Sequence, residues 1–146
     1  MTPEQRSCNM SRIGARNTKP ELLLRRAIHR AGMRYRLHRA DLPGRPDIVM
    51  AGRRAVIFVH GCFWHAHDCP KGVTPATRTE FWTAKLARNR ERDAEQAAAL
   101  RGMGWRVATV WECALVGRAR IDNAKVAARL AAWLEEGPEE LAIGGE

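Results

Sequence analysis

The chain has 146 residues, enough for one domain around a single core, and 25 lysines and arginines against 16 acidic residues give it a net charge of +9. No stretch approaches the roughly 20 apolar residues that a membrane helix needs, and no apolar segment typical of a secretion signal opens the chain. The sequence therefore predicts no membrane-spanning helix. The charge balance favours a polyanionic partner, and the alternative is that the charge is non-specific or only confers solubility.

Residues 1–17 are polar, basic and without periodicity, and we predict an N-terminal arm. Arg6, Arg12 and Arg16 could lie along a nucleic-acid groove, which would order the arm, but a disordered tail fits the pattern as well. Cys8 lies in this arm. Because an arm is a poor place for a rigid ligand, we leave Cys8 out of any metal site.

The first predicted helix begins at a capping-box pattern from Thr18 to Glu21 and directs Leu24 and Ile28 inward before Gly32 ends it. Capping is a sufficient structural explanation for Glu21. At 100° per residue, however, Glu21 lies near the apolar stripe, so its carboxylate could instead face the interior and have a functional role.

A short turn separates residues 46–50 from residues 54–60, which predicts two antiparallel strands. The second strand should be fully buried, because Val56–Val59 are four consecutive large apolar residues. Asp47 is either an ordinary strand-end residue or a rigidly held ligand for a hard cation. The hairpin should bring Asp47 near His60.

The buried strand runs directly into a loop rich in histidine and cysteine. Cys62, His67 and Cys69 can supply two thiolates and an imidazole, and Cys113 could complete four ligands of the type that zinc prefers. Such a closed site would be structural. Two alternatives stay open: His65 could replace His67 as a ligand, or the cysteines could be incidental buried residues.

His60 and His65 are then the candidates for catalysis, because imidazole changes charge near neutral pH. Residues 79–101 predict a long helix in which Trp82 and Asp93 share one inward stripe. A buried carboxylate needs a partner, and either His65 or a core arginine could fill that role for Asp93.

The C-terminal third predicts a strand at residues 105–111 that returns Cys113 to the metal loop, and a last helix from Asp122 that stops at Gly137. Residues 18–137 should therefore form a single domain with a helix-covered mixed sheet. We expect residues 138–146 to be a frayed acidic tail.

Several motifs, in order along residues 9–133, resemble the very-short-patch repair (Vsr) family of DNA mismatch endonucleases. They are Leu42-Pro-Gly-Arg-Pro-Asp47, Val56-Ile-Phe-Val-His60-Gly-Cys-Phe-Trp-His65, His67-Asp-Cys69, Thr77-Arg-Thr-Glu-Phe-Trp82, Asn89-Arg-Glu-Arg-Asp93 and Val110-Trp-Glu-Cys-Ala-Leu115. The resemblance implies a restriction-endonuclease-like (PD-(D/E)xK-type) α/β fold, with a mixed sheet flanked by helices and a structural zinc. It also implies Mg²⁺-dependent nicking 5′ to the T of a T:G mismatch left by deaminated 5-methylcytosine.

The resemblance further implies roles for individual residues. Asp47 and the backbone carbonyl of Val59 match the Mg²⁺ ligands of the family. His60 and His65 match its two active-site histidines, and Asp93 matches the partner of His65. Glu21 matches the glutamate of the first helix. Cys62, His67, Cys69 and Cys113 match the zinc ligands, and Phe63, Trp64 and Trp82 match the residues that intercalate beside the mismatch. Val59 replaces a threonine found in the best-known members. The change is harmless if only the backbone carbonyl serves Mg²⁺, whereas the rate or the metal preference would differ if the hydroxyl helped to order water.

As partners, the resemblance implies mismatched double-stranded DNA and mismatch-repair helper proteins. We expect a monomer in the bacterial cytoplasm, associated with the nucleoid through DNA. Two other functions stay open: a sequence-specific or other-mismatch nicking endonuclease linked to restriction and modification, and a zinc-stabilised DNA-binding module that does not cleave. A deaminase is disfavoured, because the Cys-x-x-Cys half of its zinc signature is missing.

Overall fold

A five-stranded mixed sheet with helices on both faces organises the part of the chain that the computed structural model describes, residues 18–65, 67, 69 and 75–145. In chain order the elements are α1 (Lys19–Arg30), β1 (Arg36–Leu37), β2 (Ile48–Met50), a 3-10 turn (Ala51–Arg53), β3 (Ala55–His60), α2 (Thr79–Gly102), β4 (Arg106–Trp111), α3 (Glu112–Leu115), α4 (Asn123–Glu136) and β5 (Glu140–Ile143). This architecture confirms the predicted α/β class. The predicted arm at residues 1–17 lies outside the described residues.

The strands lie in the order β1-β2-β3-β4-β5, with the first three antiparallel and the last three parallel. The predicted hairpin is confirmed, because Val49 pairs with Val56 across β2 and β3. Parallel pairing of β3 and β4 places His60 opposite Trp111, at the ends of both strands. The loop after β3 and the helix after β4 therefore begin side by side.

Alternate residues of β3 pack into two separate cores, as expected for a strand covered on both faces. On one face, Ile57 packs among the inward residues of α1 and α4, which include Leu24 and Leu130. On the other face, Phe58 packs with Leu100 of α2. His60 follows Phe58 in the same alternation, so its ring belongs to the α2 side of the sheet.

Helix α2 confirms the inward stripe predicted from its periodicity: Leu86 and Leu100 are buried and Asp93 is half-buried, whereas Arg88 and Glu91 are exposed. The capping box predicted for α1 is wrong. The Thr18 side chain makes no capping hydrogen bond, and the carboxylate of Glu21 turns inward, where it is 2% exposed. The carboxylate contacts Arg25 and His38.

The expectation of a frayed tail at residues 138–146 is also wrong, because residues 140–143 form β5. This strand pairs in parallel with β4, and Ile143 is fully buried against the core that α1 and α4 share. Burial of Ile143 and the ladder to β4 outweigh the acidic start of the segment at Glu139 and Glu140. Across the described ranges, no helix has the length and apolarity to cross a membrane.

Candidate active site

Two histidines stack at the end of β3. The rings of His60 and His65 are 3.8 Å apart between centroids and inclined by 2°, and Nδ1 of His65 lies 2.5 Å from Oδ2 of Asp93 on α2. Asp93 therefore partners His65, which resolves the choice left open between an imidazole and a core arginine. A carboxylate at Nδ1 fixes the ring orientation and favours the tautomer in which Nε2 is the basic nitrogen.

His60 is the more buried of the two rings, at 9% exposure. Burial, reinforced by the neighbouring charge of His65 and opposed by that of Asp93, lowers the pKa of His60 to about 3. His60 is thus a neutral imidazole at neutral pH. Both rings border a cavity of about 210 Å³ between the sheet and α2, whose polar lining also includes Arg90 and Thr109.

Asp47 lies on the neighbouring strand, where Oδ2 accepts a hydrogen bond of 2.7 Å from the backbone N–H of Val59, the residue before His60. Burial raises the pKa of Asp47 to about 6, and the nearby charge of Glu21 adds to this rise, while the Val59 N–H and the charges of His38 and His65 oppose it.

A second group of polar side chains surrounds Asp47 from the α1 side. Glu21, His38 and Asp47 each offer a donor atom within 4.8 Å of the others, and His60, His65 and Asp93 form a group by the same measure. Both groups could hold a cation. Oxygen donors such as the carboxylate of Asp47 suit Mg²⁺, which usually keeps several waters when it binds protein.

Cys62, His67, Cys69 and Cys113 form a third group, in which the donor atoms of all four residues lie within 4.8 Å of one another. Sγ of Cys113 is 3.5 Å from Nδ1 of His67. Three sulfurs and one imidazole nitrogen are a donor set typical of closed structural zinc sites. Because His67 joins this group whereas His65 pairs with Asp93, the structure favours His67 over His65 as the fourth donor.

Two further contacts hold the group of Cys62, His67, Cys69 and Cys113, which we call the cage. Oε1 of Glu112 accepts a hydrogen bond of 3.2 Å from the backbone N–H of Cys62, and the backbone N–H of Gly145 donates one of 3.2 Å to Sγ of Cys113. Burial, helped by the neighbouring thiols of Cys69 and Cys113, raises the pKa of the Cys62 thiol to about 12. A bound cation would favour the thiolate and offset this burial.

An aromatic cluster lies on the loop and the start of α2. Phe63, Trp64 and Trp82 meet edge to face with centroids 5.0 to 5.9 Å apart, and Phe81, which is 43% exposed, packs 5.2 Å from Trp82. Nδ2 of Asn89 on α2 donates a hydrogen bond of 2.8 Å to the carbonyl of Trp64. The rings of Phe63, Trp64 and Trp82 are partly solvent-accessible, unlike those of an ordinary core.

The structure brings every predicted site residue into one region, and it adds several that sequence reasoning missed. The missed residues are Arg25, His38, Phe81, Arg90 and Glu112. Phe81, Arg90 and Glu112 lie within three of the motifs quoted above, so those motifs were a signal. His38 had no such signal, because its partners are distant in sequence.

Comparison with known proteins gives a consistent result. The profile of the family described as DNA mismatch endonuclease Vsr matches residues 1–71. The DNA mismatch endonuclease Vsr of Escherichia coli (strain K12) is 46% identical over 129 residues, which cover 88% of this chain and 83% of the relative. The type II nicking enzyme V.XorIIP of Xanthomonas oryzae pv. oryzae is 50% identical over 115 residues, or 79% of this chain and 85% of that protein. The type II nicking enzyme V.NmeAIP of Neisseria meningitidis is 42% identical over 118 residues, 81% and 84% of the two chains.

Proposed function

The chain belongs to the Vsr family of DNA mismatch endonucleases, and from that premise we propose that it nicks one strand of duplex DNA 5′ to the T of a T:G mismatch, with Mg²⁺ as the cofactor. Such a mismatch arises when 5-methylcytosine is deaminated. The chain is a DNA endonuclease with the restriction-endonuclease-like fold of its family. The observation that carries the finer proposal is the stacked pair of His60 and His65, with Nδ1 of His65 held by the Asp93 carboxylate.

The cation site of this proposal consists of the Asp47 carboxylate and the backbone carbonyl of Val59, with waters as the remaining ligands. When bound, Mg²⁺ would stabilise the negative charge that develops on the phosphate. The N–H of Val59 already holds Oδ2 of Asp47, so the carboxylate is fixed in orientation before any ion arrives. That rigidity supports the assignment, because a fixed ligand loses little conformational entropy on binding.

His65 is the general base in this proposal. Asp93 engages Nδ1, so Nε2 is the nitrogen available to take a proton from the attacking water, and the carboxylate stabilises the imidazolium that results. His60, neutral because burial lowers its pKa to about 3, serves the phosphate or the leaving side as a hydrogen-bonding group rather than as a reservoir of protons. The depressed pKa of His60 favours this assignment over the reverse one.

Mismatch recognition is assigned to the aromatic cluster. Phe63, Trp64 and Trp82 are proposed to enter the base stack beside the T:G pair, where a wobble pair stacks less well and is cheaper to distort. Phe81 extends the same surface. The basic arm at residues 1–17, which lies within the region matched by the family profile, is proposed to contact the DNA backbone.

The cage of Cys62, His67, Cys69 and Cys113 is proposed to bind one structural zinc. Four protein donors leave no open position for an activated water, so zinc would brace the loop and take no part in hydrolysis. The loop that zinc braces carries both His65 and Trp64. Metal analysis of protein purified without chelators should find one zinc per chain, and its absence would remove this part of the proposal.

A second candidate function is suggested by two relatives that are named as type II nicking enzymes. Those names describe the relatives. For this chain, the main alternative is therefore a nickase that acts only in a particular sequence context, rather than at T:G mismatches in any context. Both candidates use the same catalytic residues, so only the choice of substrate separates them.

The deciding experiment uses duplexes labelled on each strand in turn, with a T:G pair, a T:A control and other mismatches in several sequence contexts, incubated with Mg²⁺. A nick 5′ to T in the T:G duplexes alone supports the proposal. Cleavage restricted to one context supports the context-dependent nickase, and binding without cleavage contradicts both. The Asp47→Asn variant should bind but not nick, while Asp41→Asn, a surface substitution six residues away, should nick normally.

A further inference from the structure

His38 is the one imidazole of the described region that lies beside the predicted cation site and has no part in the proposed reaction. It follows β1 and has a φ of 49°, a left-handed conformation that residues other than glycine adopt at a cost. Its backbone N–H donates to the carbonyl of Asp47 at 3.3 Å. With this backbone conformation, the ring of His38 lies within 4.8 Å of the carboxylates of Glu21 and Asp47.

The ring of His38 contacts Glu21 directly. Nε2 of His38 lies 2.5 Å from Oε1 of Glu21, and Nη2 of Arg25 lies 2.5 Å from the same oxygen and 3.3 Å from the imidazole. Glu21 is 2% exposed and His38 is 17% exposed by side chain, so both groups are largely withdrawn from water.

The simplest explanation of this network is a buried ion pair that only stabilises α1 against β1. Arg25 alone, however, would neutralise Glu21 without recruiting a strained histidine. What the ion-pair explanation leaves unexplained is the position of Asp47, whose carboxylate lies within 4.8 Å of donor atoms of both Glu21 and His38. Two carboxylates and one imidazole converging on one point form a donor set for a divalent cation.

We propose that His38 is a nitrogen ligand of the catalytic cation, together with Asp47 and Glu21. Because Mn²⁺ accepts an imidazole nitrogen more readily than Mg²⁺ does, the site should bind Mn²⁺ more tightly than Mg²⁺. The inference rests on the proposed function, since it names a further ligand of the cation that Asp47 would hold. The inference goes beyond the proposed function by adding His38, a donor from the segment between β1 and β2.

The test is pulsed electron paramagnetic resonance of Mn²⁺ bound to the zinc-loaded full chain, recorded alone and with a T:G duplex that has a non-cleavable linkage. An imidazole ligand modulates the Mn²⁺ echo through its directly bound ¹⁴N. The unmodified protein should show this modulation, and labelling its histidines with ¹⁵N should replace it with the ¹⁵N pattern. The labelling experiment needs no substitution, so a variant that fails to fold cannot leave the question open.

His38→Gln should abolish the nitrogen modulation and weaken Mn²⁺ binding by about 10-fold or more, with a smaller effect on Mg²⁺. The matched control is His29→Gln, an exposed histidine at the end of α1, which should preserve both the modulation and the affinity. His65→Gln should preserve the modulation although it removes the proposed base. Thermal melting and zinc content confirm that each variant is folded.

Modulation that is absent from the unmodified protein in both conditions, or that persists in His38→Gln, overturns the inference. Modulation that disappears in His65→Gln alone assigns the ligand to the other imidazole and overturns it as well. Nicking of the T:G duplex is measured on the same preparations. Nicking without nitrogen modulation rejects His38 as a ligand and leaves the proposed function in place, whereas modulation without nicking rejects the function and leaves the site.

Discussion

Replacing Asp47 by asparagine should stabilise the protein while it abolishes metal-dependent nicking. The folded carboxyl group keeps its proton up to a pKa of about 6, whereas an unfolded aspartate loses it near 3.8. Between these values the native state binds more protons than the unfolded state, so the free energy of unfolding falls as pH rises through this window. Two pKa units correspond to about 3 kcal/mol, all of it lost by about pH 7.

Asparagine has no charge to bury, and its amide oxygen can still accept the hydrogen bond from the Val59 N–H. We therefore expect Asp47→Asn to raise the free energy of unfolding by about 2 kcal/mol at pH 7.5, somewhat less than the full penalty because its NH₂ group needs new partners. At pH 4.5 the gain should shrink to about 1 kcal/mol or less. Urea unfolding in magnesium-free buffer, with zinc retained, measures both values.

Asp41→Asn is the matched control, because Asp41 is exposed and pairs with the surface residue Arg39. This surface substitution should change the free energy of unfolding by less than about 0.5 kcal/mol at either pH. Adding Mg²⁺ should then stabilise the unmodified protein and not Asp47→Asn, since only a state that binds the ion gains from it. A loss of stability in Asp47→Asn at pH 7.5, or a gain that does not depend on pH, would refute the reasoning from burial.

Three further outcomes follow from the site. His65→Ala and Asp93→Asn should each reduce the nicking rate strongly, and the double variant should lose little more than the worse single one, because the pair acts as a unit; additive losses in single-turnover assays would contradict that unit. In the unmodified protein the free energy of unfolding should fall as the pH is lowered from 6.5 to 4, because the buried His60 ring resists the proton that an unfolded histidine takes up. His60→Gln should make this fall smaller by up to about 3 kcal/mol. An unchanged pH profile in urea titrations would show that burial does not depress the pKa of His60. Cys113→Ser should lower zinc content and the melting temperature together, and a normal melting temperature without zinc would show that the cage does not brace the fold.

Periodic patterns predicted the parts of the fold in which burial follows sequence directly. The run from Val56 to Val59 identified the central strand, and the phase of α2 placed Asp93 inward. The periodicity of α2 could not predict which residue contacts Asp93, because the identity of that residue depends on the path of the loop after β3. The structure supplies that path, and His65 is the partner.

Other features depend on contacts that sequence distance conceals. His38 meets Glu21 from 17 residues away, and its left-handed backbone is not marked by a glycine or an asparagine. The strand β5 begins with acidic residues typical of a solvated tail, yet β4 offers it a free edge and Ile143 finds a buried position. A single sequence shows neither an available edge nor a distant partner.

The loop between β3 and α2 connects mismatch recognition to the chemistry in this proposal. The cage anchors it at Cys62, and Asn89 holds the carbonyl of Trp64 in place. His65 is adjacent to Trp64 in sequence and is held in turn by Asp93 on α2. If Trp64 enters the stack of DNA bases as proposed, a displacement of Trp64 is passed through one peptide unit to His65, the general base that activates water. A duplex that resists opening would then misalign His65, so a matched pair would be spared through geometry as well as through weaker binding.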